Sequence, residues 1–202
     1  SGISRVQEAG YPRESIEIID PTGFADRKEF ADALVAACEK YSVDLVGQYG
    51  WLPLTPRKLI EKYEGRIINQ HPGPLDPPSG PPAGGDFGGK GMWGRRVHAA
   101  VLHFRRETNH DFWTESTTHL VTAEFDKGEV IKRKKVEIHP EDTVEDLQKR
   151  VLPVEYEVQI AALSDFANDS VTISKREKPL IRPEEVSILE AAKLKTGLEY
   201  PE

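Results

Sequence analysis

The stretch Gly65-Arg66-Ile67-Ile68-Asn69-Gln70-His71-Pro72 constrains the fold more than any other part of the chain. A short β-branched run leads into an Asn-x-His-Pro. Proline has no N–H for a ladder and is excluded from central strands, so a strand here must stop near His71. An amide and an imidazole are thereby left at the end of a buried strand. Side chains at i and i+2 share a strand face, so Asn69 and His71 point the same way. In open α/β sheets, ligands bind at the carboxyl ends of strands.

The flanking segments alternate between two periods. Residues 26–41 read as a helix, with Phe30, Leu34, Cys38 and Tyr41 on one face, Asp26 as N-cap and Glu29 three residues on. Strands are expected at 15–19, 43–47 and 67–69, helices at 4–10 and 56–63. Strands alternating with helices imply βαβ units, hence an α/β fold with an open, mostly parallel sheet flanked by helices. A Pro/Gly-rich loop at 72–91 interrupts the pattern, and a loop of that length in a compact domain usually carries function. Helical spacing returns at 92–106, followed by strands at 112–125 and 130–138 with Asp126-Lys127-Gly128 as a tight turn. A long helix begins at 140–143, and Pro153 should kink or split it. From about residue 169 an extension carries a short strand at 171–173 and a charged helix from 183 to about 195. No repeat is visible, and residues 1–202 read as one domain.

Composition narrows the function classes. Of 202 residues, 38% are hydrophobic and 30% charged, which suits a globular protein with a sizeable core. No run approaches the ~20 apolar residues of a membrane span. The first residues lack a basic region followed by an apolar one, so no secretory signal is expected. A single cysteine, Cys38, fits a reducing, cytoplasmic compartment. A net charge of −7 argues against a nucleic-acid surface. Lys132-Arg133-Lys134-Lys135 reads as a solvated edge strand. His98, His103, His110 and His139 make no ligand set, so no metal is expected. Gly84 to Gly91 satisfies Gly-x4-Gly-Lys, but Gly91 stands where a P-loop needs Ser or Thr. Its N–H groups and Lys90 still precede a helix, a place where a substrate phosphate can be held.

Asn69 and His71 suit acyl transfer. An amide N–H can stabilise a developing oxyanion, an imidazole can pass a proton near neutrality, and a carboxylate such as Asp126 can hold that imidazole protonated. No Ser or Cys nucleophile stands out, and Cys38 sits on an apolar helix face. Direct attack by an amine, without a covalent intermediate, is the chemistry these groups fit.

Four segments in order carry a resemblance: Asp44 to Gly50, then Asn69-Gln70-His71-Pro72, then Thr117-Thr118-His119-Leu120-Val121, then Asp126-Lys127-Gly128-Glu129-Val130-Ile131. Together they resemble the folate-dependent formyltransferases, most closely the branch that formylates glycinamide ribonucleotide, over roughly residues 1–166. The resemblance implies a Rossmann-like formyltransferase fold. It implies that Asn69 and His71 stabilise the tetrahedral intermediate, that Asp126 pairs with His71 and shuttles the proton, and that His119, with Thr118, supports Asp126. The co-substrate would be 10-formyltetrahydrofolate, bound by Trp51, Leu52, Pro53, Leu54, Thr122, Ala123 and Glu124. Arg27 would contact the amine substrate and Glu155 would lie near its ribose, while the phosphate role of Lys90 rests on its place before a helix. The family's first strand and its Gly-Ser-rich phosphate loop have no counterpart before Ser1, Gly73-Pro74 replaces the usual Ser-Leu, and Leu52 replaces a common arginine. An amino sugar nucleotide or other amine as acceptor, and a non-catalytic folate-binding subunit, stay open as alternatives. Expected partners are small-molecule substrates, with no nucleic acid and no membrane, and a homodimer is one assembly the reading allows.

Overall fold

The computed structural model describes residues 2–76, 85–109 and 113–201. Ten regular elements follow one another: α1 (Gly2–Glu8), α2 (Arg27–Lys40), β1 (Val46–Gln48), α3 (Arg57–Lys62), β2 (Ile67–His71), α4 (Arg95–Thr108), β3 (Trp113–Leu120), β4 (Val130–Glu137), α5 (Val144–Ala167) and α6 (Val186–Glu199). The expected α/β architecture is present, with an open sheet of order β1-β2-β3-β4 flanked by helices. Its pairing is mixed. β1 and β2 run parallel across the α3 crossover, as a βαβ unit requires, while β2–β3 and β3–β4 are antiparallel. The 120–130 connection is too short for a crossover, so β3 and β4 return as a hairpin.

Sequence signals for the helix ends hold in detail. Asp26 accepts from the N–H groups of Lys28 and Glu29, and Glu29 reaches back to the Ala25 N–H at 3.1 Å. Thr143 and Asp146 form a reciprocal capping box at the start of α5. Pro153 does not split α5, which runs as one helix of 24 residues. Pro153 and Lys149, whose carbonyl loses its helical donor, are both exposed, so that carbonyl is open to solvent.

Other expectations fail for lack of partners. Residues 16–20 are extended but pair with no strand and stand largely exposed. Segment 171–173 forms no strand: Val171 packs on the cluster that holds Ile131 of β4, and the next residue, Ser174, gives its N–H to the Val130 carbonyl at 2.7 Å and its own carbonyl to Arg133 at 2.7 Å. On α2, Ala31 and Val35 are buried with Phe30, whereas Tyr41 is exposed and gives its hydroxyl to Glu14.

Alternation along β2 sets the layers. Ile67 faces α2 and α3, packing with Val35, Leu59 and Tyr63. Ile68 faces α5, packing with Ala162 and Phe166. The largest cluster joins α4, α5 and α6 through Val97, Val101, Phe104, Leu147, Val151 and Leu189. Among the described residues, no helix is long and apolar enough to cross a membrane.

The basic run lies on an edge strand, β4, with Lys134 and Lys135 exposed as expected, but its side chains also make specific pairs. Lys132 and Lys134 pair with Asp165 and Glu157 of α5, and Lys135 lies over the Trp113 ring at 4.3 Å. Arg133 turns inward to Glu115, 1% exposed, and Arg176 of the C-terminal extension meets the same carboxylate. Arg176 also pairs with Asp76 at 2.9 Å and donates to the Leu75 carbonyl at 3.2 Å. Two guanidinium groups and two carboxylates thus neutralise each other and tie the extension to the loop that follows His71.

Candidate active site

β2 carries Asn69 and His71 on the face away from α5, beneath the loop that closes over its end. In register with β3, Asn69 lies opposite His119 and His71 opposite Thr117. Opposed residues share a face, so the pairing by itself brings the two histidines together. Asn69 Nδ2 stands 3.2 Å from His119 Nε2. His119 Nδ1 lies 2.8 Å from the Leu120 carbonyl, which fixes the proton on Nδ1 and leaves Nε2 to accept from Asn69. Asp126 comes from the β3–β4 hairpin at φ 56°, a conformation Asp tolerates. Its carboxylate lies 3.4 Å from His119 Nε2 and 3.7 Å from His71 Nδ1. Gly128 makes this turn possible, because a Cβ there would sit 1.6 Å from the Leu120 carbonyl.

The glycine-rich loop completes the site. His71 Nε2–H donates to the Phe87 carbonyl at 3.0 Å, and Gly89 N–H donates to Asp126 at 2.9 Å. His71 and His119 are each 2% exposed. Burial raises the Asp126 carboxyl, but the charge that His71 and His119 carry when protonated, together with the Gly89 N–H, outweighs it and holds it at about 2. Burial drives His71 toward its neutral form, and the attraction of Asp126 does not overcome it. With Nε2–H on Phe87, the free lone pair of His71 is Nδ1, which faces the carboxylate.

A carboxyl held at about 2, against 3.8 as its ordinary value, adds stability above pH ~4 that is lost as pH falls through about 2. The difference corresponds to roughly 2 kcal/mol. Acid titration of unfolding free energy should show this decline in the parent protein and a shallower one in Asp126→Asn.

Other expected residues divide. Thr118 points to the opposite face and accepts from Gln159 of α5 at 3.2 Å, so it does not touch Asp126. Its neighbour Thr117 faces the site and donates to the Gly73 carbonyl at 2.8 Å. Period-two alternation from His119 identifies Thr117, not Thr118, as the residue on that face. Lys90 is exposed, and α4 begins only at Arg95. The loop amides that were expected to hold a phosphate serve carboxylates instead, Gly88 N–H on Asp86 and Gly89 N–H on Asp126. Gly84 and the prolines before it, like His110 and Phe112, lie outside the described residues.

Glu155 is half-buried on α5, its carboxyl raised by burial with the neighbouring Gln70 amide opposing that shift. Gln70 follows Asn69, so this contact lies on the other face of β2. His98 of α4 is a buried imidazole near His71, held at about 4 by burial and then by His71, with Nδ1 unpartnered among the described residues. Among those residues, no group of three His, Cys, Asp or Glu could hold a metal.

The segments expected to hold a folate do meet. Leu54 and Ala123 line one cleft of about 360 Å³, with Arg27, Lys28, Arg57 and Lys58 at its rim. Arg27 donates to the Leu54 carbonyl at 2.6 Å, which places it on this side. Trp51 stacks on Phe30 at 6.2 Å, and its indole N–H is buried without a partner among the described residues. Leu52 is exposed, as are Pro53, Ala123 and Glu124, while Thr122 closes a turn with Glu124.

Comparison with known proteins agrees with this geometry. A family described as "Formyl transferase" matches residues 97–163, from α4 through most of α5 and including His119 and Asp126. The chain is 34% identical over 149 residues to the chloroplastic phosphoribosylglycinamide formyltransferase of Arabidopsis thaliana, covering 74% of this chain and 46% of that protein. It is 29% identical over 177 residues to the trifunctional purine biosynthetic protein adenosine-3 of Gallus gallus, covering 88% of this chain and 16% of that one. The chain therefore spans less than half the length of either relative. Glycinamide ribonucleotide transformylase 1 from Symbiobacterium toebii superposes with a TM-score of 0.68 at 27% identity, over 88% of this chain and 74% of its own. With the segment carrying Asp126 matched and the same fold around it, the chain belongs to the formyl transferase family.

Proposed function

We propose that the chain transfers the formyl group of 10-formyltetrahydrofolate to the primary amine of glycinamide ribonucleotide, a step of purine biosynthesis, with Asn69, His71 and Asp126 as the reacting machinery. The observation that carries this reading is the convergence of an amide, two imidazoles and an ionised carboxylate at the end of β2. The amine attacks the formyl carbon, and the carbonyl oxygen takes up negative charge. One Asn69 N–H is committed to His119, and the other is free to donate to that oxygen. His71 Nδ1 accepts the amine proton, directly or through water, and the imidazolium so formed faces both the oxyanion and Asp126. As the bond from carbon to N10 breaks, the same proton passes to N10, so the site ends as it began.

The cleft beside Leu54 and Ala123 supports the folate assignment, since its apolar floor and cationic rim suit a ring system that carries carboxylates. Arg27 belongs with this donor rather than with the amine. Glu155 and Lys90 are assigned to the acceptor. The lone cysteine supports a reducing, cytoplasmic setting.

The test is an amine screen with 10-formyltetrahydrofolate, reading tetrahydrofolate release. Glycinamide ribonucleotide should be the best acceptor, and Asn69→Ala should lower its turnover by about 10²–10³-fold. Preference for an amino sugar nucleotide would move the acceptor assignment. Parental turnover in Asn69→Ala would remove the amide from the mechanism.

A further inference from the structure

Three consecutive residues of the glycine-rich loop each commit a main-chain group to a functional side chain. Phe87 gives its carbonyl to His71, Gly88 gives its carbonyl to Lys193 Nζ at 3.0 Å, and Gly89 gives its N–H to Asp126. The middle donor comes from α6, outside the stretch that matches the family. We propose that Lys193 is a positioning residue: by holding the Gly88 carbonyl from α6, it fixes the two neighbouring peptides against His71 and Asp126.

The glycines of this loop add little backbone preference of their own to its shape. Gly89 adopts φ 104° and Gly91 φ 82°, and glycine has the weakest backbone preference of any residue. Gly88 lies so close to the site that a Cβ there would come within 2.7 Å of Asp126 Cβ and 2.6 Å of Leu75 Cδ2. A side chain at position 88 itself is therefore excluded; within the loop Asp86 takes the Gly88 N–H at 3.0 Å, and the anchor of the Gly88 carbonyl comes from elsewhere. α6 provides it at two points. Leu189 packs where a Cβ on Gly85 would be, at 2.8 Å, and Lys193 takes the Gly88 carbonyl.

The placement is costly for an ammonium. Burial lowers the Lys193 pKa, the carboxylates of Asp86, Glu190 and Asp126 oppose that, and Lys127 adds to it. A lysine kept for solubility would extend outward, as Lys195 does on the same helix, where its side chain is 58% exposed. Lys193 instead reaches inward to a single carbonyl.

Calling the anchored loop catalytic rests on the proposed function, but the anchor itself is testable without turnover. Amide hydrogen exchange at Gly89, read by NMR, should be slow in the parent and about tenfold or more faster in Lys193→Met, where the stem is kept and the donor lost. Lys193→Arg should restore most of the protection. Lys127→Met removes a neighbouring charge but not the bond, and should leave Gly89 protected. In Lys193→Met, kcat for formyl transfer should drop about tenfold with the donor KM unchanged. Unchanged Gly89 exchange in Lys193→Met overturns the proposal. Equal loss in Lys127→Met overturns it as well, by assigning the effect to charge. Deprotected Gly89 together with no formyl transfer in the parent protein supports the anchor while removing the proposed function.

Discussion

Asp126→Asn should lower formyl transfer about 10²–10³-fold while leaving the donor KM nearly unchanged. The substitution is nearly isosteric, so the hairpin keeps its shape around Gly128, and the cleft beside Leu54 is untouched. What disappears is the negative charge that faces His71 Nδ1 at 3.7 Å and His119 Nε2 at 3.4 Å. An imidazolium formed at a site this buried needs a counter-charge, and a neutral amide offers none. The Asn side chain also cannot satisfy every neighbour at once. Its oxygen can accept from Gly89 N–H, but its amino group then lies toward His119 Nε2, in competition with Asn69. Because these interactions tighten only as charge develops, the loss belongs in kcat, and 10²–10³-fold corresponds to ~3–4 kcal/mol of barrier. Steady-state kinetics with glycinamide ribonucleotide check this. A change of less than about threefold would mean that His71 works without the carboxylate.

Arg176→Met should cost about 3–5 kcal/mol of folding stability. Arg176 binds Glu115, Asp76 and the Leu75 carbonyl at once, and both carboxylates are almost fully buried. Removing the guanidinium leaves Arg133 to serve Glu115 and strands Asp76, which keeps only the Leu180 N–H at 2.8 Å. Burial already raises the Asp76 carboxyl with Arg176 in place, so the variant should take up a proton there on folding. Urea unfolding should show the loss. In the double variant Glu115→Gln/Arg176→Met, the combined loss should fall short of the sum of the two single losses, since the partners are removed together. Stability within 1 kcal/mol of the parent would show that the cluster is not a structural tie.

Much of the frame was legible because local signals and global packing agree. Asp26 caps α2, Thr143 and Asp146 cap α5, and Pro72 ends β2. Asn69, His71, His119 and Asp126 converge as the sequence motifs imply. The errors share one cause, which is that pairing across the chain is not written in any local stretch. Residues 15–19 have strand composition but no neighbouring strand. Arg133 belongs to a run that looks like a solvated edge, yet its inward turn depends on Glu115 and on Arg176, 43 residues further along. In sequence the glycine-rich loop suits a phosphate, because N–H groups before a helix suit an anion. The anions it serves are Asp86 and Asp126, and only the fold brings them there. Thr117 was the exception, since alternation from His119 already marked it. Lys193 had no local signal at all, because its partner is a main-chain carbonyl 105 residues away.

The most direct measurement uses 10-formyltetrahydrofolate labelled with ¹³C in the formyl group, incubated with the protein and glycinamide ribonucleotide. The label should appear on the amine nitrogen of the acceptor at the rate at which tetrahydrofolate is released, and Asn69→Ala, His71→Ala and Asp126→Asn should each slow both together. Label released as formate at the same rate with or without acceptor would contradict the account, because water rather than an amine would then be the nucleophile at this site.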